Sequence, residues 1–136
     1  MAVLETTFVI DLMKESKLRR DGAASAKLKE LTARKETLSI SIFTVAELHV
    51  GVAKGTQPDQ ERLQIQRCLS LFGVLQFRES TAELFGVVVG KLEKHGQPIS
   101  AMDALIASTA LEHSELLVTR NLKHFQRIPG LQVEGY

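Results

Sequence analysis

The chain has 136 residues, 44% hydrophobic and 24% charged, with a formal net charge of +1, so a single domain over 1–136 with an ordinary buried core is expected. No apolar run reaches the roughly 18 residues of a membrane span, and the N-terminus lacks the ordered regions of a secretory signal. A lone cysteine, Cys68, excludes an internal disulfide framework and suits a cytoplasmic protein.

The first element is a β-type run at 2–6 that delivers one carboxylate, Glu5, near its end. Asp11 follows as an acid on a helix face. Across 14–35 the chain carries eight basic residues (Lys14, Lys17, Arg19, Arg20, Lys27, Lys29, Arg34, Lys35) against three acids. Contact with a polyanion and a solvated helix face both account for that run. A second β-type run at 37–42 leads into Val45, Leu48, His49 and Val52 at helical spacing, which places His49 in the core or at an interface. Ile65, Cys68, Leu69 and Phe72 repeat that spacing, so Cys68 reads as a packing residue.

The third β-type run is 74–77. Residues 81–95 then read as helix, with Leu84, Phe85, Val88 and Leu92 on one side, although the consecutive Val87, Val88 and Val89 suit a strand better. Met102, Leu105, Ile106, Thr109 and Ala110 mark another helix, followed by a β-type run at 115–119 and a weak fifth at 131–134. Gly22, Gly55 to Pro58, Gly73, Gly96 to Pro98 and Pro129-Gly130 punctuate the elements.

Strands alternating with helices predict an α/β sandwich around a mainly parallel sheet of four to five strands. Right-handed crossovers would gather the C-terminal ends of the strands on one edge, where ligands of open α/β sheets bind. Glu5 ends the first strand, and Asn121 follows the fourth in "LLVTRN". Glu47 follows Thr44 by three residues, and Asp103 follows Ser100 by three. Both pairs fit the [ST]-x-x-[DE] signature of a helix start, so capping accounts for either acid alone. Convergence of Glu5, Glu47, Asp103 and Asn121 on one edge points instead to a divalent cation, because crowded carboxylates repel one another without one.

Three stretches resemble the PIN-domain ribonucleases, and among them the VapC-type toxins: "VLETTFVIDLM", "SIFTVAELHVGV" and "MDALIASTALEHSELLVTRNLKHFQRIPGLQVE". The resemblance implies a three-layer α/β/α fold, an acidic pocket for Mg²⁺ or Mn²⁺, and cleavage of RNA. It also implies silencing by a small VapB-type antitoxin and assembly as homodimers or larger complexes. Glu5 stands in the place of the family's first metal-binding Asp, Glu47 matches its helix-borne Glu, and Asp103 matches the Asp that opens the late helix. Thus Glu5, Asp103 and Glu47 are the expected metal ligands, with Asn121 completing the catalytic set where many relatives have a fourth acid. Thr119 matches a small hydroxyl residue that helps orient a ligand or water, and His124 falls at a family-typical position.

Glu5 departs from the family Asp by one methylene, which leaves open an attenuated enzyme or a non-catalytic module that binds antitoxin or RNA. Substrate contacts are expected from Lys14, Lys17, Arg19, Arg20 and Arg120 through phosphates, since one Tyr and no Trp leave little for base stacking. No HExxH, paired-cysteine, GxSxG, GxGxxG or P-loop pattern is present, which removes zinc, serine-nucleophile and nucleotide-cradle chemistries.

Overall fold

In the computed structural model, which describes residues 1–113 and 115–136, the short apolar runs pair into a sheet whose neighbours are all parallel. Its strands are β1 (Ala2–Leu4), β2 (Leu38–Ser41), β3 (Gly73–Leu75), β4 (Leu116–Val118) and β5 (Gln132–Glu134), in the order β3-β2-β1-β4-β5. The chain fills one side of β1 with β2 and β3, then crosses to the other side for β4 and β5. Strand order therefore reverses between β1 and β4, whose register sets Leu4 beside Val118.

Alternation along each strand sends successive side chains to opposite faces. Ala2, Leu4 and Val118 pack with Phe8, Leu31, Leu48 and Ile65, whereas Val3 and Leu117 pack with Val88, Leu92, Ile106 and Phe125. The first face is covered by α1 (Thr6–Leu18), α2 (Ala23–Ala33), α3 (Ile42–Lys54) and α4 (Pro58–Leu69). The second is covered by α5 (Glu79–Lys94), α6 (Ala101–Glu112) and the single turn α7 (Leu122–Phe125). The result is the expected three-layer α/β/α sandwich.

The apolar runs set the ends of the first four strands one or two residues too late. Thr6 is already the first residue of α1, because Glu5 turns its side chain back to accept the Thr7 N–H as an N-cap. Ile42 likewise opens α3, capped by Ser41 through the Thr44 N–H at 3.0 Å. Thr44 is therefore not the cap of that helix, and Glu47 sits too deep in it to close a capping box. The basic run resolves into the end of α1, a turn at Arg19 with φ 53°, and α2. Glu15 holds that turn by accepting the N–H groups of Gly22, Ala24 and Ser25.

The valine triplet is helical. Only Val88 is buried among the three, and its packing against the second face outweighs β-branched preference. α5 stops at a left-handed Gly96 (φ 63°), after which Pro98 leads the chain to the Ser100 cap of α6. Cys68 is buried in the first core cluster, and that burial pushes its thiol pKa up to about 11. His49 is exposed, outside the stripe formed by Leu48 and Val52. Among the described residues no helix is long and apolar enough to cross a membrane.

Candidate active site at the sheet edge

The reversal of strand order opens a crevice beyond the C-terminal ends of β1 and β4, the position where open α/β sheets take their ligands. Parallel pairing places Glu5 and Thr119 side by side there, one residue past each strand, and the Glu5 N–H donates to the Val118 carbonyl at 3.0 Å. Glu5 directly follows β1, Asp103 lies in the first turn of α6 and Asn121 follows β4, whereas Glu47 lies in the second turn of α3.

Glu5 is a charged side chain with only 3% exposure. Its Oε2 accepts the Thr7 N–H at 3.1 Å, the Thr7 hydroxyl at 2.5 Å and the Thr119 hydroxyl at 2.8 Å. None of these donors reaches Oε1. Among the described residues Oε1 has no hydrogen-bond partner. Burial raises the Glu5 pKa above the usual carboxylate value, the three hydrogen bonds oppose that rise, and the Asp103 charge adds to it. One oxygen of Glu5 is thus fixed, the other has no partner among the described residues, and the carboxylate feels the charge of a second acid, Asp103.

Asp103 stands in the first turn of α6, its N–H donating to the Ser100 Oγ at 3.2 Å, so the capping half of its signature is real. Its side chain is 24% exposed, with His124 Nδ1 at 3.7 Å. Glu47 is half-buried on α3, where its Oε1 accepts the Thr6 hydroxyl at 2.6 Å. Thr119 is fully buried and works in both directions, donating to Glu5 and accepting the Asn121 N–H at 3.0 Å. Asn121 is exposed, and its side chain makes no hydrogen bond among the described residues.

These acids do not form a closed cage. Among the described residues no three His, Cys, Asp or Glu side chains gather closely enough to hold a metal ion by themselves. Glu5 and Asp103, the second adding its charge to the environment of the first, nevertheless match the one or two carboxylates that Mg²⁺ takes from proteins. That ion keeps several waters and is held by one or two carboxylates together with substrate phosphates.

The basic residues divide sharply. Lys27 pairs with Glu30 and Glu134, Arg34 with Glu30, Glu36 and Glu134, and Lys29 with Asp21. Lys14, Lys17, Arg19 and Arg20 are exposed and make no ion pair among the described residues. Lys14 and Lys17 rim a cavity of about 350 Å³ between α1, α3 and α4, floored by Ile10, Met13, Leu48, Val52 and Ile65 and bordered by Glu47.

Arg120 is not free. Its Nη1 donates to both Asp11 oxygens, at 2.8 and 2.9 Å, and the Tyr136 hydroxyl donates to Asp11 at 2.8 Å. Asp11 is thus part of the edge, which its place on a helix face did not suggest. The available signal was its position one turn after Thr7, on the same side of α1.

The PIN domain family model matches residues 2–131 of the chain. Ribonuclease VapC2 of Rickettsia felis is 36% identical over 107 residues, covering 79% of this chain and 80% of that protein. The tRNA(fMet)-specific endonuclease VapC of Salmonella typhimurium is 30% identical over 99 residues, covering 73% and 75% respectively. The crystal structure of VapBC2 from Rickettsia felis, bound to a DNA fragment from its promoter, contains a chain that superposes with a TM-score of 0.88 at 30% identity. The match covers 99% of this chain and 98% of that one.

Proposed function

This chain belongs to the PIN domain family, among its VapC ribonucleases, and on that footing we propose that it is a metal-dependent endoribonuclease serving as the toxin of a toxin–antitoxin pair. The observation that carries the reading is the state of Glu5. A buried carboxylate pinned through one oxygen, the other unpartnered among the described residues and the whole subject to the charge of Asp103, is poor design for stability and good design for binding a cation at a phosphodiester.

Glu5 and Asp103 would hold Mg²⁺ or Mn²⁺, and Glu47 would act on the ion directly or through water. When bound, such an ion lowers the pKa of a water and draws charge from the attacked phosphate. The rest falls to the chain's own residues. Thr7 and Thr119 hold the Glu5 carboxylate in one orientation. Glu47, oriented by the Thr6 hydroxyl, takes a proton from the attacking water. Asn121 has no proton to exchange, so it contributes hydrogen bonds or its amide oxygen. Lys14, Lys17, Arg19 and Arg20 hold the RNA backbone.

The partner is a VapB-type antitoxin. The cavity between α1, α3 and α4, with an apolar floor and two lysines on its rim, suits an amphipathic segment carrying acids and borders Glu47. Pairing of toxin copies into dimers and larger assemblies with antitoxin follows the relatives' complexes, and the whole of 1–136 acts as one domain within them.

The test is cleavage of tRNA(fMet) by the antitoxin-free protein in Mg²⁺, in Mn²⁺ and in EDTA, with Asp103→Asn as control. Cleavage by the parent that needs the cation and is lost in the variant supports the reading. RNA left intact by the parent under every condition, while antitoxin is still bound, favours a non-catalytic binding module.

A further inference from the structure

Arg120 is held at the site edge from two directions by one face of α1. Its backbone N–H donates to the Thr7 hydroxyl at 3.2 Å, the same hydroxyl that donates to Glu5. One helical turn further on, Asp11 takes the guanidinium. Asp11 is itself held: the Tyr136 hydroxyl donates to its Oδ2, and the Tyr136 ring sits edge-on to Phe8, with centroids 5.0 Å apart.

The geometry of the pair separates a structural from a functional purpose. An ion pair serving only to tie two elements gains most from a fork-to-fork arrangement, in which two guanidinium nitrogens meet two carboxylate oxygens. Here Nη1 alone bridges both Asp11 oxygens, and among the described residues Nε and Nη2 make no hydrogen bond. The acid is 16% exposed while the arginine is 55% exposed, so Asp11 sits behind and Arg120 in front. A planar group with unused donors, fixed next to Thr119 and Asn121, is suited to take the oxygens of a phosphate.

We propose that Asp11 is a positioning residue, which fixes Arg120 so that its remaining donors bind a backbone phosphate of the RNA next to the carboxylate site. This deepens the nuclease reading and rests on it. Arg120 touches the substrate, and Asp11 acts only through Arg120. The Lys14 side chain, one further step along α1, continues the same cationic line away from the edge.

The direction of one substitution's effect separates positioning from plain electrostatics. Asp11→Asn removes a negative charge close to a polyanion, so electrostatics alone makes RNA bind more tightly. Loss of positioning makes it bind more weakly. With labelled tRNA(fMet) in EDTA, so that no cleavage occurs, we expect Asp11→Asn to weaken binding about fivefold and Arg120→Ala at least as much. In the Arg120→Ala background Asp11→Asn should cost nothing further. The salt dependence should flatten by about 0.7 in log–log slope for Arg120→Ala and stay unchanged for Asp11→Asn, which keeps the arginine charge. In the cleavage assay Asp11→Asn should raise KM with kcat within about twofold of the parent.

Thermal melting of each variant checks the fold, and should Asp11→Asn fail to fold, Tyr136→Phe is read instead. It frees the acid from one side without changing charge and should weaken binding in the same direction. Unchanged or tighter binding in Asp11→Asn overturns the proposal while leaving the nuclease reading intact, provided the parent cuts. A parent that neither binds nor cuts tRNA overturns both.

Discussion

Thr119 and Glu5 lie 114 positions apart in the chain and are joined by a 2.8 Å hydrogen bond at the sheet edge. The same hydroxyl accepts the Asn121 N–H, so one buried side chain orients the acid after β1 and shapes the turn after β4. Thr119→Val keeps the volume and removes both bonds. We predict a loss of about 1–3 kcal/mol in stability, since a buried carboxylate oxygen and an N–H are each deprived of a partner. Cleavage should fall about tenfold or more as Glu5 gains freedom, whereas Thr119→Ser restores most of both. Chemical denaturation and initial-rate measurements on the three proteins check this.

Glu5 and Glu112 respond to pH in opposite senses. The Glu5 pKa is raised, first by burial, so on raising the pH the unfolded chain loses its proton before the folded one, and stability falls across that window. Glu5→Gln removes this cost. It should raise the Tm at pH 7 by about 3 °C, with the gain shrinking as the pH falls below the folded value, while activity is abolished. Glu112 is the reverse case. Hydrogen bonds from Ser80 and Thr81 and the charge of Arg78 hold its pKa down, tying α5 to α6. Glu112→Gln should lower the Tm at pH 7, and the difference should close as the pH falls from the ordinary glutamate range through the lowered folded value. Melting curves at several pH values measure both.

Of the eight basic residues in the cationic stretch, Lys27, Lys29 and Arg34 are paired, and the other five make no ion pair among the described residues. Only the unpaired ones should matter to RNA, with Lys35 set apart from the other four by α2. Replacing Lys14, Lys17, Arg19 and Arg20 together by Gln should weaken RNA binding and flatten the log–log salt dependence by about 0.7 for each phosphate no longer neutralised. Replacing Lys29, which pairs with the exposed Asp21, should leave both unchanged. Fluorescence titrations at four salt concentrations check this.

How far the sequence carried depended on the range of the interaction. The five strands were visible as apolar runs, and α3 to α6 as periodic ones, because burial on a sheet face or helix stripe repeats locally. Glu5, Glu47, Asp103 and Asn121 were proposed from their places at element junctions together with the resemblance to known ribonucleases. Their individual states were not visible. That Glu5 caps α1 and that Ser41 caps α3 are matters of one or two residues at a boundary, where apolar runs lose their force.

The pairing of Lys27 and Arg34 with Glu134, and of Arg120 with Asp11, joins segments about a hundred residues apart that only the sheet order brings together. A basic run counted in sequence therefore overstated the charge left for a polyanion. Asp11 was set aside because a single acid on a helix carries no signature of the loop that will reach it.

Mn²⁺ binding, measured without RNA by titration calorimetry on the antitoxin-free protein and its Glu5→Gln and Asp103→Asn variants, bears most closely on the two-acid site. Saturable binding by the parent, weakened at least about tenfold in each folded variant, is the predicted result. Binding by both variants as tight as in the parent would contradict it, because the cation would then be held by residues other than the two acids at the sheet edge.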